Sequence, residues 1–136
     1  MKIPIKKIYQ RTKTFENKIV TPLSKKIAID YLDALFENDI EAILSNYTKS
    51  SIVITLEKTY RGLSEIREFT MELIKYFSKK NTVLVLDKIT IEKDIIYMVW
   101  HTNSTTTNIT IASDTFYIKN KKIKKHTFIC QLNRKY

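Results

Sequence analysis

The chain has 136 residues, 43% of them hydrophobic and 11% aromatic, and a formal net charge of +10. That length suits one domain burying about two-thirds of its unfolded surface, and the composition excludes a disordered chain. The single cysteine, Cys130, excludes an internal disulfide and a cysteine-built zinc site and agrees with a reducing, cytoplasmic setting, while no apolar run reaches the ~20 residues of a membrane-spanning helix.

The chain opens with "MKIPIKKIYQRTKTFENKIV", which is basic but lacks the apolar centre of a signal peptide. Residues 1 to 20 therefore read as a mobile or docking arm, and 21 to 136 as the domain. Thr21 followed by Pro22 is a helix start, a capping hydroxyl and then proline in the first turn. Ile27, Tyr31, Ala34 and Leu35 recur at helical spacing and predict a helix over about 22 to 37. Asp39 caps a short second helix whose inner side is Ile40, Ile43, Leu44 and Tyr47. "SSIVITLEKTY" reads as one strand rich in β-branched residues. "RGLSEIREFTMELIKYFSKK" follows as a third helix with Ser64 as its cap. After Asn81 come four strands, "TVLVLDKITIE", "IIYMVWHTN", "ITIASDTFYIK" and "KIKKHTFICQL", joined by polar turns. Segregated helices and strands predict an α+β fold, with helices covering one face of a curved sheet that can enclose a pocket at its open end.

The basic balance raises a nucleic-acid reading, through the arm and "KNKKIKK" at 119 to 125. Only four of the 24 basic residues are arginine and the lysines are scattered, so solvated faces are the stronger expectation.

The chemistry-bearing residues stand on the last strands. Asp114 alternates with Ala112, Phe116 and Ile118, which places a carboxylate on an apolar face. It is either a hydrogen-bonded structural acid or an acid whose burial suits it to a functional role. His126 alternates with Phe128, Cys130 and Leu132. It reads as a base, a ligand contact or a half-buried ring. Trp100 and His101 fall on opposite faces of their strand, and either set could line a pocket. Cys130 reads as an apolar filler. No metal-ligand spacing, phosphate loop or hydrolase motif occurs, so no metal or cofactor is expected.

"NDIEAILSNYTKSSIVITLEKTYRGLSEIREF" and "SDTFYIKNKKIKKHTF" resemble the SnoaL-like and ketosteroid-isomerase-like branch of the nuclear transport factor 2-like superfamily. The matches together span about residues 24 to 132. Lys121 or Lys122 stands where the family's hairpin turn usually has glycine. The resemblance implies a cone-shaped α+β barrel, three N-terminal helices on a curved mixed sheet, often as a homodimer. It also implies that Tyr31 and Asp114 occupy the oxyanion-binding positions of the steroid isomerases, an enzyme class in which a tyrosine and a protonated aspartate share enolate charge. Tyr47 matches a supporting tyrosine. Thr55 stands where the isomerases keep their general base, and cannot serve as one. The expectation is a cone binding a small apolar molecule that bears a carbonyl or hydroxyl. Asp114 and Tyr31 would bind its oxygen, Phe36, Trp100, Phe116 and Phe128 would form apolar wall, and Tyr47, Thr55 and Cys130 would line the cavity. His126 would be the proton acceptor of any isomerase-, cyclase- or dehydratase-type reaction. The alternative is a non-catalytic dimerisation or partner-binding module with Asp114 as a structural acid.

Overall fold

A computed structural model describes residues 22–77, 82–103 and 107–134. The expected arm at 1 to 20 lies outside the described residues.

The first helix, α1 (Pro22–Phe36), ends where Asn38 turns left-handed at φ 60. The Asn38 N–H donates to the Leu35 carbonyl and the Asp39 N–H to the Ala34 carbonyl, closing the helix in a Schellman pattern. Asp39 then opens α2 (Ile40–Leu44), its carboxylate accepting from the Ala42 N–H at 3.1 Å. One short stretch thus stops one helix and starts the next, and fixes the angle between them.

The single expected strand over "SSIVITLEKTY" is two. β1 (Tyr47–Ile54) turns through Thr55–Lys58 into β2 (Thr59–Arg61). The Thr55 hydroxyl donates to the Lys58 carbonyl and accepts from the Glu57 and Lys58 N–H groups. A hydroxyl saturated in this way makes a turn where β-branched composition alone suggested continuous strand. Helix α3 (Gly62–Ile74) begins two residues before the expected cap Ser64. Arg61 stands at the cap position, and its N–H is satisfied by Glu65 Oε1 at 2.8 Å. Gly62 has φ +80, and a Cβ there would lie 3.2 Å from the Lys49 carbonyl oxygen, so the strand-to-helix corner needs glycine.

Strands β3 (Val83–Glu92), β4 (Ile95–Asn103), β5 (Thr107–Lys119) and β6 (Lys122–Arg134) form an antiparallel meander. The first strand returns to pair in parallel with the last, giving the six-stranded order β2-β1-β6-β5-β4-β3. The sheet is curved and mixed and forms the expected α+β cone; among the described residues β2 and β3 are its edge strands and it does not close on itself. Register shifts interrupt β1, β3, β5 and their partners. Such bulges bend and twist a sheet. At the β1 shift the Ser51 hydroxyl donates to the Ile123 carbonyl at 2.6 Å and accepts from the Thr48 N–H, replacing a missing ladder rung. The helices cover the inner face, where Leu86, Ile96, Met98, Trp100, Phe116 and Ile123 are fully buried.

Candidate functional site

The centre of the inner face is polar, and sheet register explains how. Asp114 lies opposite Met98 on β4 and Phe128 on β6. Trp100 and His126 are therefore its diagonal neighbours on the two flanking strands, at a distance long side chains can bridge. Both do. The Trp100 indole N–H donates to Asp114 Oδ2 at 2.7 Å, and His126 Nε2 meets Oδ1 at 2.5 Å. The Tyr47 hydroxyl bonds His126 Nδ1 at 2.8 Å, and the Tyr31 ring packs against the His126 ring beside it. Four side chains from β1, β4, β5 and β6 thus form one chain of hydrogen bonds, with Tyr31 of α1 packed at its end.

Counting donors sets its direction. With the His126 proton on Nε2, Tyr47 donates to Nδ1, Nε2–H to Oδ1 and Trp100 to Oδ2. Every hydrogen then has an acceptor, and no buried side-chain nitrogen or oxygen among the described residues lacks a partner. Burial, then the neighbouring Tyr47 phenol and the charge of Asp114, hold the Tyr31 hydroxyl well above the usual tyrosine range. The Tyr47 hydroxyl is held up by burial and by Asp114. Both remain neutral donors. The His126 ring is jacketed by Phe116, Tyr31, Phe69, Tyr47 and Phe128, with ring centroids 4.4–6.3 Å away.

The structure brings Asp114, Tyr31, His126, Tyr47, Trp100 and Phe116 together, and shuts them in. Asp114, His126, Trp100 and Phe116 are 0% exposed, and Tyr31 is 1%. Each carboxylate oxygen of Asp114 accepts from one protein donor, and the side chain has no exposed surface. Thr55, Phe128 and Cys130 lie elsewhere, on a cavity of about 340 Å³ at the open end of the cone, while Phe36 packs edge-on against Phe77. Tyr60, Phe69, Tyr76, Leu73 and Leu132 complete the apolar wall of this cavity, and Glu57 and Glu72 add polar rim. Phe69 and Phe128 also touch the His126 ring, so one layer of rings separates the cavity from the polar chain. Burial, then the charges of Glu57 and Asp114, push the Cys130 thiol up, which keeps it neutral and unreactive. His101 faces outward, bonded to Asp87 at 2.6 Å, and takes no part.

Sequence reasoning missed Glu57, Tyr60, Phe69, Glu72 and Tyr76 as a group. Phe69 stands at helical spacing with Ile66 and Leu73, on the buried stripe of α3. The hairpin that carries Glu57 and Tyr60 over the opening depends on the turn at Thr55, whose only signal was a polar "EK" within a β-branched run.

No family model and no curated protein matches the sequence. Solved structures do match in fold. A nuclear transport factor 2-like protein of unknown function from Cytophaga hutchinsonii superposes with TM-score 0.63 at 12% identity, over 85% of this chain and 94% of that one. A candidate SnoaL-like polyketide cyclase from Shewanella putrefaciens gives 0.64 at 14%, over 82% and 91%. The epoxide hydrolase/cyclase-like enzyme SalBIII, described in pyran ring formation in polyether salinomycin, gives 0.68 at 16%, over 82% and 95%. At these identities the likeness establishes architecture and leaves the chemistry to the site.

Proposed function

We propose that this chain, a nuclear transport factor 2-like domain by fold, binds a small, largely apolar molecule in the cavity at the mouth of its cone and does not react with it through Asp114. The observation that carries this is the separation of the two features. The cavity lined by Tyr60, Phe69, Leu73, Tyr76, Phe128 and Leu132 is open, and the acid behind it is sealed, with a protein donor on each oxygen. A concave, mostly aromatic cavity of this volume suits a one- or two-ring molecule. Thr55 and Cys130 offer it weak polar contacts at the rim. The polar chain behind the rings is the rigid floor of the site.

Isothermal titration and backbone amide shifts with a panel of one- and two-ring compounds test the reading. Tyr60→Ala should weaken any binder at least tenfold, while Asp114→Asn should change its affinity less than twofold and lower the melting temperature. If Asp114→Asn instead abolished binding in a stably folded protein, the sealed acid would have to open to ligand, and proton-transfer chemistry at His126 would become the better account.

A second reading, self-association, is favoured by the outer face of the sheet. Ile95 and Tyr97 on β4, Ile111 on β5 and Ile129 on β6 are 38–55% exposed there. A second copy of the chain covering this face would be the homodimer. Sedimentation equilibrium should then show a dimer that Ile129→Lys dissociates, and a monomer at all accessible concentrations would remove the reading.

A further inference from the structure

The cavity at the mouth inverts the charge of the molecule that carries it. The chain is formally +10, yet among the described residues the cavity lining holds two glutamates and no Lys, Arg or His. Glu72 shares its charge with Lys75 in a solvent-exposed pair at 2.9 Å. Glu57 has no ion-pair partner among the described residues. Four aromatic rings form the wall, and a ring face carries negative partial charge that attracts cations. Tyr60 already holds one, the Lys58 ammonium, 4.7 Å from its ring centroid. The thiol of Cys130 reports the same sign of field from within, since Glu57 and Asp114 both raise its pKa after burial does.

Three kinds of ligand would fare differently here. A carboxylate would be desolvated against Glu57, and the one described cation at the wall, Lys58 over Tyr60, is already shared with Glu68 at 3.8 Å. A neutral molecule would use the apolar wall alone. An ammonium group on a flat apolar body would use the wall, the ring faces and Glu57 together. We propose that the cavity selects cationic ligands, amines with an aromatic or alicyclic body, with Glu57 as the residue that sets the preference. The proposal rests on the reading that this cavity takes a ligand at all.

The test uses three probes with one shared body, 1-naphthylmethylamine, 1-naphthalenemethanol and 1-naphthoate, titrated into the full chain at neutral pH and low salt. The amine should bind on the order of tenfold more tightly than the alcohol, and the carboxylate most weakly. Glu57→Gln should remove most of the amine's advantage and leave the alcohol unchanged. Raising the salt should narrow the gap, because the pair lies near solvent. Equal affinity for amine and alcohol, or an amine indifferent to Glu57→Gln, overturns the charge preference and leaves an apolar site standing. Failure of all three probes to bind, with amide signals of Tyr60, Phe69 and Phe128 unmoved, overturns the cavity reading and the preference with it.

Discussion

Asp114 is tolerated in the middle of an apolar sheet face because two diagonal neighbours donate to it and no water is needed. Removing it leaves the Trp100 indole N–H and the His126 Nε2–H buried without acceptors. At about 1–3 kcal/mol for each orphaned buried donor, Asp114→Ala should lower the unfolding free energy by about 3 kcal/mol. Urea titration measures this. Trp100 is the only tryptophan, so its emission follows the same transition.

The phenols at the other end make an alkaline prediction. Tyr31 and Tyr47 are raised in the folded state, and in the unfolded chain they ionise near the ordinary value of about 10. Below that pH both states hold the two protons and their contribution is complete. Above it the unfolded chain loses protons that the folded one keeps, so stability falls by about 1.4 kcal/mol per pH unit for each phenol until the folded pKa is reached. The double variant Tyr31→Phe/Tyr47→Phe should show a shallower loss between pH 10 and 11.5 than the parent chain, measured by urea titration at each pH.

Alternation placed Asp114 and His126 on inward faces, and helical spacing put Tyr31 on its apolar stripe. What alternation could not supply was the third partner. Whether Trp100 or His101 faced inward depended on how β4 is set against β5, and register is a property of paired strands, not of either sequence alone.

Among the elements, the β5–β6 hairpin is the one built against propensity. Its loop is Asn120–Lys121, and both residues have positive φ, at 53 and 66. Such a two-residue loop matches strand twist, but only Gly, Asn and Asp accept the geometry readily. Lys121 holds it at a cost of about 1 kcal/mol. Lys121→Gly should therefore stabilise the protein by about 0.5–1 kcal/mol without disturbing the neighbouring strands, as a rise in thermal midpoint would show. Gly62→Ala should do the reverse by about 1–2 kcal/mol, because the left-handed backbone and the Lys49 carbonyl both oppose a side chain there. The same comparison marks what local sequence can say. Asp39 announced its helix because a cap is chemistry within four residues. Ser64 misled, because the corner at Gly62 and the reach of Glu65 to the Arg61 N–H decide where α3 starts.

Taken whole, the molecule divides into a sealed polar centre and an open aromatic mouth. The resemblance located both along the chain and merged them into one site. They are separate because Phe69 from α3 and Phe128 from β6 meet between them, ring centroids 5.6 Å apart. That contact joins residues far apart in sequence, which no local pattern encodes. Which strands stand at the sheet edges, β2 and β3 among the described residues, was likewise beyond reach of strand-by-strand reading, since closure depends on the summed curvature of six strands.

The parallel pairing of β1 with β6 has a consequence for the making of the protein. About 70 residues of chain separate the two strands, and at translation rates of about 5–20 residues per second β1 waits roughly 4–14 s for its neighbour. During that interval Tyr47 has no His126 to bond, Ser51 has no Ile123 carbonyl, and the β1–β2 hairpin offers an unprotected edge. Helices α1 to α3 can form on the ribosome, but the sheet that orders them cannot. The nascent chain is thus a set of helices, the β1–β2 hairpin and the β3–β5 meander awaiting the strand that joins the two sheet pieces, and a ribosome stalled before Lys122 should hold it sensitive to protease until β6 emerges.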